Sequence, residues 1–324
     1  GGKGNPYTVI LGIGEAGGNG GFGAGGGGAG TSNQGGTNGG IGGFGAAGGG
    51  GGGNGGGAGG YGAGKGDVGG QSPGGGGGGA AFGGAVFVRQ GGQILITDDA
   101  TITSNTLAAG LKGSAGAADG TTDGQDLYLV GGSALGFSVP ASGGGYAYNG
   151  IISGGINEDS STTTGCTLNI DAGTGGVVTL AGANTFFGTT NINSGILAIA
   201  SQSVFGGTLS SIKLNGVTLQ AQLMANQNIT IAQGLTITGS NNFIDTNQYT
   251  LKFSNTVTCN GPFTKTGTGT LAFAQAVSLT GPITIGVTNG LLSFATIHLT
   301  SGATTFDIAT IGSATISAPI DGSG

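Results

Sequence analysis

The part of the sequence that decides the fold is residues 176–200, which read GVVTLAGANTFFGTTNINSGILAIA. Two short apolar segments, 177–180 and 196–199, stand in this stretch, and glycine, asparagine and threonine separate them. Side chains alternate between the two faces of a strand, so such segments place apolar residues inward and threonine, serine or asparagine outward. The stretch therefore predicts short β-strands joined by tight turns.

Similar segments recur through the chain from residue 85 onward. They are residues 85–88, 94–96, 127–130, 167–170, 177–180, 196–199, 217–220 and 235–238. A sandwich or barrel and a parallel β-solenoid both fit short, regularly spaced strands. Close spacing, scarce charge and outward Asn and Thr that would stack between coils favour the solenoid. At about 20 residues per coil, residues 85–324 would form about 12 coils with open ends.

Glycine divides the chain into two parts. Of its 84 glycines, 46 lie in residues 1–84 and 38 in the rest. We expect a first domain (1–84) with a leading strand at 7–13 and a glycine-rich insertion, and a second domain (85–324) that is the solenoid. An ordered glycine tract must offset its large entropy loss with dense backbone hydrogen bonding.

Two arrangements of the glycine-rich part would supply those hydrogen bonds. The favoured one is a set of packed polyglycine-II-type helices with three residues per turn, and the other is glycine-lined loops against a sheet edge. In the first arrangement Phe22, Phe44 and Tyr61 point outward or pack on the neighbouring domain. The alternative for these aromatic residues is exposed contact with a partner.

Charge is scarce, which limits the classes of partner. Charged residues make up 6% of the chain, with 7 basic residues against 13 acidic ones and a net charge of −6. The basic residues are scattered, so we expect no nucleic-acid partner and no binding to an anionic membrane surface. No apolar run reaches about 18 residues, so we expect no integral membrane helix.

Candidate catalytic residues are few and dispersed. His298 is the one histidine, and Asp307 is the nearest acid to it in sequence. The acidic pairs Asp98-Asp99 and Glu158-Asp159 are adjacent residues, which point to opposite faces of a strand. We therefore predict no catalytic residue and a protein that is not an enzyme.

Metal and cofactor sites are likewise not predicted. Asp119, Asp123 and Asp126 fall in a Gly/Thr-rich loop where calcium would find oxygen ligands, but a solvated acidic loop is the favoured interpretation. Residues 64–68 match one calcium-binding glycine nonapeptide, a repeat that needs tandem copies. We expect Cys166 and Cys259 to be small buried residues of the strand stack.

Several stretches resemble a known repeat. Residues 176–197 resemble the autotransporter-associated β-strand repeat, with Phe186 or Phe187 where that family usually has tyrosine. Residues 244–251 and 264–271 are similar to the family's D-T-N-G-x-T-L and K-x-G-x-G-T-L phrases, with Gln248 in place of the usual glycine. Residues 83–92 and 126–129 resemble segments that follow glycine-rich tracts in large surface proteins.

The resemblance implies a right-handed parallel β-helix passenger exported across the outer membrane of a Gram-negative bacterium. Family members end in a membrane β-barrel, and the sequence after Thr300 does not match one. The resemblance then implies a released passenger, a fragment, or a relative secreted by another route.

The sequence thus favours a non-enzymatic, extracellular structural protein, adhesin-like or self-assembling into fibres or matrix. Its expected partners are further copies of itself, through the ends of the β-helix, and cell-surface or matrix glycans. One alternative is a polysaccharide-binding or polysaccharide-cleaving β-helix, which the absence of Trp and a total of 6 Tyr disfavours. A weaker alternative is ice binding through the Thr-x-Thr triplets at 101–103, 236–238 and 256–258.

Overall fold

The fold is all-β, with parallel strands stacked as a β-solenoid of about seven turns, in a computed structural model of the chain. The structure describes residues 15–30, 36–69, 74–97, 100–139, 144–159, 164–223, 228–301, 304–308, 312–316 and 320–322. The predicted strand at 7–13 lies outside these residues. Among the described residues, no helix has the length and apolar character needed to cross a membrane.

The strands are short through most of the chain. In chain order they are β1 (Ala81–Phe82), β2 (Val86–Val88), β3 (Gln93–Ile96), β4 (Thr122–Asp123), β5 (Leu127–Leu129), β6 (Ala134–Ser138), β7 (Gly145–Tyr148), β8 (Ile152–Gly154), β9 (Cys166–Asp171), β10 (Val177–Leu180), β11 (Gly188–Ser194), β12 (Ile196–Ile199), β13 (Ser211–Asn215), β14 (Thr218–Ala221), β15 (Ile229–Ile231), β16 (Gly234–Thr238), β17 (Asn242–Asp245), β18 (Thr250–Phe253), β19 (Val257–Cys259), β20 (Phe263–Thr266), β21 (Thr270–Thr280), β22 (Ile283–Val287), β23 (Gly290–Ser301), β24 (Thr304–Ile308), β25 (Gly312–Ile316) and β26 (Ile320–Gly322). A short 3₁₀ helix covers Gln202–Phe205. The eight predicted segments all coincide with strands to within one residue at each end.

The chain divides into two compact units. The first comprises Gly1–Phe87, Ser104–Val130 and Ile156–Thr163, and the second comprises Val88–Thr103, Gly131–Gly155 and Thr164–Gly324. The solenoid therefore lacks two segments, 104–130 and 156–163, that the sequence prediction placed in it. This loss is one reason why it has about seven turns rather than 12.

The length of each coil is the other reason. Ile196 of β12 pairs with Thr218 of β14, and Thr218 pairs with Phe243 of β17, so successive coils advance by 22 and 25 residues. Longer turns between the strands use these additional residues. The estimate of about 20 residues per coil was therefore too short.

The solenoid core follows from alternation within each strand. In β10 and β12, Val178 pairs with Leu197 and Leu180 pairs with Ile199, and all four side chains are fully buried. The intervening positions face outward and are polar or small. Parallel in-register stacking therefore repeats one apolar row from coil to coil.

Aromatic residues fill the core near the last coils. Phe253, Phe273 and Phe294 occupy paired positions on β18, β21 and β23. Their ring centroids are 5.7 and 5.2 Å apart, and the rings are stacked. All three are buried, so this row forms a continuous apolar column.

The glycine-rich unit is built from extended segments whose hydrogen bonds repeat every third residue. The N–H groups of Gly17, Gly20, Gly23, Gly26 and Ala29 donate to the carbonyls of Asn38, Ile41, Phe44, Ala47 and Gly50, at 2.8–3.2 Å. The constant offset means that these partners run parallel. Neighbouring segments also pair antiparallel, as Gly49 to Gly40 and Gly52 to Thr37 do at 2.9 Å.

Residues 46–52 form the central segment of this unit. It exchanges backbone hydrogen bonds with the segments 24–30, 37–43, 57–60, 63–67 and 74–80. A Cβ atom on Gly48, Gly49 or Gly50 would lie 1.9, 2.1 or 1.7 Å from a carbonyl oxygen of three different neighbours. Only glycine fits where every side of an extended segment meets another backbone.

The aromatic residues that interrupt the glycine runs stack on one another. Phe44 lies 5.6 Å from Phe22 and 5.3 Å from Tyr61 between ring centroids, with nearly parallel planes. Phe44 is buried and also packs against Tyr128 of the same unit. The prediction that Phe44 points outward was therefore wrong. A three-residue period places aromatic residues of adjacent parallel segments at one level, where they meet.

Candidate functional surfaces

The larger sheet of the solenoid carries a row of polar side chains on its outer face. Pairing in register places the row on successive strands from β9 to β23, as Asn169, Asn191, Lys213, Thr236, Thr258, Ser278 and His298. Asn191 Nδ2 donates to Asn169 Oδ1 at 3.0 Å. Neighbouring members stand about 4.8 Å apart, the spacing of strands in a sheet.

A second outward row lies beside the first. Thr167 pairs with Thr189, which pairs with Ser211. The hydroxyl oxygens of Thr189 and Ser211 are 3.1 Å apart and share a hydrogen bond. The two rows together form a regular surface that is mostly uncharged, with hydroxyl and amide groups at fixed intervals.

Lys265 interrupts an inward row of the smaller sheet. It pairs with Ile244 of β17 and Val287 of β22, which are both fully buried, and Lys265 is fully buried as well. Its Nζ donates to Thr246 Oγ1 at 2.8 Å, to the Thr266 carbonyl at 2.8 Å and to the Gly267 carbonyl at 2.5 Å. The ammonium group thus holds the turn that follows β20.

Burial is the main influence on the charge of this lysine. It lowers the pKa of Lys265 from 10.5 to about 8, and the nearby Asp245 carboxylate opposes that change. Desolvation disfavours the charged form, whereas the three oxygen partners stabilise it. Alternation in the sequence Phe263-Thr264-Lys265 was the signal that could have placed Lys265 inward.

A tight turn at Thr246–Tyr249 joins β17 to β18. The N–H of Tyr249 donates to the Thr246 carbonyl at 2.9 Å. Asn247 has a φ of 47°, a conformation that asparagine tolerates better than most residues. Asp245 Oδ1 accepts from the Asn247 N–H at 2.9 Å, and Asp245 Oδ2 accepts from Gln220 Nε2 at 2.9 Å. Both carboxylate oxygens therefore serve the turn.

An open surface pocket of about 410 Å³ lies at this turn. Its lining comes from the turns of three successive coils, as Gln222, then Asn247, Gln248 and Tyr249, then Gly267 and Thr268. The Tyr249 hydroxyl donates to the Leu223 carbonyl at 2.8 Å. Analysis of the sequence noted Gln248 as a departure from the family phrase but did not identify this pocket.

The candidate catalytic residues do not form one site. His298 lies on β23 in the larger sheet, and Asp307 lies on β24 in the smaller one. Glu158 and Asp159 lie in a turn between strands. The pair Asp98-Asp99 falls outside the residues that the structure describes.

The three aspartates of the predicted acidic loop bind different partners. Asp119 Oδ1 accepts from the Lys112 N–H at 2.7 Å, and Asp123 Oδ1 accepts from the Gly124 N–H at 2.8 Å. The buried Asp126 accepts from Asn105 Nδ2 at 2.8 Å. The described part of the chain contains no group of three metal-ligating side chains.

The two cysteines are buried and free, which confirms their assignment to the strand stack. Burial raises the pKa of both thiols to about 12. Cys166 Sγ donates to the Phe187 carbonyl at 3.3 Å. Both thiols are therefore protonated and unreactive at neutral pH.

The Thr-x-Thr triplets do not build a regular array. Thr236 and Thr258 are paired on adjacent strands. Residues 101–103, in contrast, are not in a strand. This pair is therefore a local feature of the outward row.

Comparison with known proteins adds no name to these surfaces. No family model, curated protein or solved structure matches this chain.

Proposed function

We propose that this chain is a non-enzymatic structural protein of a bacterial cell surface, adhesin-like and able to self-assemble into fibres or matrix. The observation that carries the proposal is the in-register row of hydroxyl and amide side chains from Asn169 to His298. Groups repeated at a fixed spacing of about 4.8 Å favour multivalent polar contacts, in which many weak interactions add up.

The proposed location is outside the outer membrane of a Gram-negative bacterium, on the cell surface or secreted. The resemblance of residues 176–197 to the autotransporter-associated repeat supports it. The low content of charged residues, 6%, fits a surface that relies on neutral polar groups.

We assign the glycine-rich unit to a bundle of polyglycine-II-type helices. Hydrogen bonds that recur every third residue and the close backbone contacts of Gly48, Gly49 and Gly50 support this assignment. A bundle of this kind is held by its backbone rather than by an apolar core. Its proposed role is that of a stiff structural module.

Self-association is proposed to use the edges of the last strands. In the described residues β24 pairs with β22 alone, and β25 and β26 each pair with β23 alone. Unpaired strand edges offer N–H and C=O groups to another strand. A second copy of the chain would satisfy these groups and extend the stack.

Negative-stain electron microscopy over a concentration series tests the structural role. Filaments or a matrix that grow with concentration are the expected result. A rod that stays single at high concentration and binds neither cells nor glycans would refute the proposal.

A pair of variants at one position tests the edge contact. Thr305 lies on β24, so Thr305→Pro should weaken strand pairing there, whereas Thr305→Ala keeps the backbone N–H group. We expect fewer or shorter filaments with proline and unchanged filaments with alanine. Equal assembly of both variants would rule out this edge as the contact.

A further inference from the structure

We propose that the pocket lined by Gln222, Asn247, Gln248, Tyr249, Gly267 and Thr268 binds a neutral glycan, at a chain end or branch. The inference deepens the adhesin-like part of the function proposed above and rests on that part alone. It assigns binding to one place on the solenoid, where three successive turns meet.

The chemistry of the lining indicates the class of ligand. Side-chain amides of Gln222, Asn247 and Gln248 and the hydroxyl of Thr268 supply both donors and acceptors. A ligand rich in hydroxyl groups needs both kinds of partner. No lining side chain is charged, so the pocket offers no counter-ion to a sulfated or carboxylated sugar.

The nearby charged groups are already occupied. Three oxygens hold the Lys265 ammonium group, and that side chain is fully buried. Asp245 uses one carboxylate oxygen for the Asn247 N–H and the other for Gln220. Neither group presents a free charge to the pocket, which favours a neutral ligand over an ionic one.

Tyr249 supplies an aromatic surface in a fixed orientation. Its hydroxyl donates to the Leu223 carbonyl at 2.8 Å and accepts from Gln248 Nε2 at 3.4 Å. The ring is half-buried and lines the pocket. An aromatic ring with a polar end combines apolar contact for the C–H face of a sugar with polar contact for its hydroxyls.

The turns that form the pocket are tied to one another. Asn247 Nδ2 donates to the Ala221 carbonyl of the preceding coil at 2.5 Å. Thr268 Oγ1, from the following coil, donates to the Asn247 carbonyl at 3.2 Å. A pocket that is already ordered loses little further freedom when a ligand binds.

The local sequence sets this turn apart from the repeat that it resembles. Gln248 stands where the D-T-N-G-x-T-L phrase has glycine, and Tyr249 stands at its variable position. Among the described non-glycine residues, positive φ occurs at Ser104, Asn241 and Asn247, so position 248 does not require glycine. The substituted position therefore contributes a side chain to the pocket.

Glycan binding by the whole chain provides the test. An array of neutral and acidic glycans identifies ligands, and saturation-transfer NMR with a bound oligosaccharide then measures Kd. We expect neutral glycans to bind with Kd of about 1 mM per site, as a shallow, open pocket of this size allows.

Matched variants locate that binding. Gln248→Ala and Tyr249→Ala should each raise Kd about fivefold or more, and Gln275→Ala, an exposed glutamine on β21, should leave it unchanged. Because Tyr249→Ala also removes the hydrogen bond to Leu223, Gln248→Ala decides the outcome if the tyrosine variant folds poorly.

The outcomes separate the pocket from the broader function. Neutral glycans that bind all variants equally would overturn the pocket and leave an adhesin-like role standing. Acidic glycans as the only ligands would overturn it too, as would filaments without any glycan binding, in which case the structural role stands. Loss of binding in the two pocket variants supports the proposal even if the chain never assembles.

Discussion

Lys265 is the residue whose ionisation should control the pH dependence of solenoid stability. Its pKa is about 8 in the folded protein and 10.5 in the unfolded chain. Between these values the unfolded chain binds a proton that the folded protein does not, so the free energy of unfolding rises with pH. We expect a rise of about 2–3 kcal/mol from pH 8 to 10.5, which Lys265→Met should remove, as urea unfolding would measure.

The cysteines make a control necessary in that experiment. The raised pKa of Cys166 and Cys259 means that their stabilising effect is complete below about pH 9 and is lost as pH rises toward 12. Both residues are present in wild type and variant, so their effect cancels in the difference. Lys213→Met, on an exposed lysine, should keep the wild-type slope. An identical slope in Lys265→Met and wild type would contradict the prediction.

Thr190 offers a change that should stabilise the protein. It lies between Leu168 and Ile212 in an inward row, is fully buried, and its hydroxyl has no partner within the described residues. A buried hydroxyl without a hydrogen bond costs about 1–3 kcal/mol. Thr190→Val keeps the shape and should raise the free energy of unfolding in urea by about 1 kcal/mol or more.

The neighbouring Thr189 serves as the matched control. Its hydroxyl shares a hydrogen bond with Ser211 on the outer face. Thr189→Val should therefore leave stability unchanged or lower it slightly. A loss of stability in Thr190→Val would mean that its hydroxyl has a partner in solution, such as a bound water.

At the scale of elements, the central segment of the glycine-rich unit should be the least tolerant of substitution. A Cβ on Gly50 would lie 1.7 Å from the Gly74 carbonyl oxygen, whereas a Cβ on Gly28 meets nothing within 4 Å. Gly50→Ala should cost about 3 kcal/mol or more, and Gly28→Ala should add about 0.4–1 kcal/mol through the unfolded chain. Thermal unfolding followed by near-ultraviolet circular dichroism would report both. Similar melting of the two variants would argue against backbone contact at Gly50.

The strands were predictable because alternation and turn residues act locally. The predicted segments 177–180 and 196–199 match β10 and β12. The number of coils was not predictable from local pattern, because residues 104–130 belong to the other unit. The pocket was missed for a related reason, since its side chains come from three turns about 20 residues apart. Lys265 follows the alternation, but its charge argues against an inward position unless its oxygen partners are known.

At the scale of the whole molecule, assembly should depend little on salt. The chain carries a net charge of −6 over 324 residues, and 6% of its residues are charged. Contacts between strand edges or neutral polar rows have no ion pairs for salt to screen, whereas ionic contacts weaken as the screening length falls.

We therefore expect the association constant, from sedimentation velocity, to change less than about threefold between 50 and 500 mM NaCl. A small increase would fit screening of the net negative charge. A tenfold or greater decrease would assign the contact to ionic groups, and the strand edges and the outward row from Asn169 to His298 would then not be its main components.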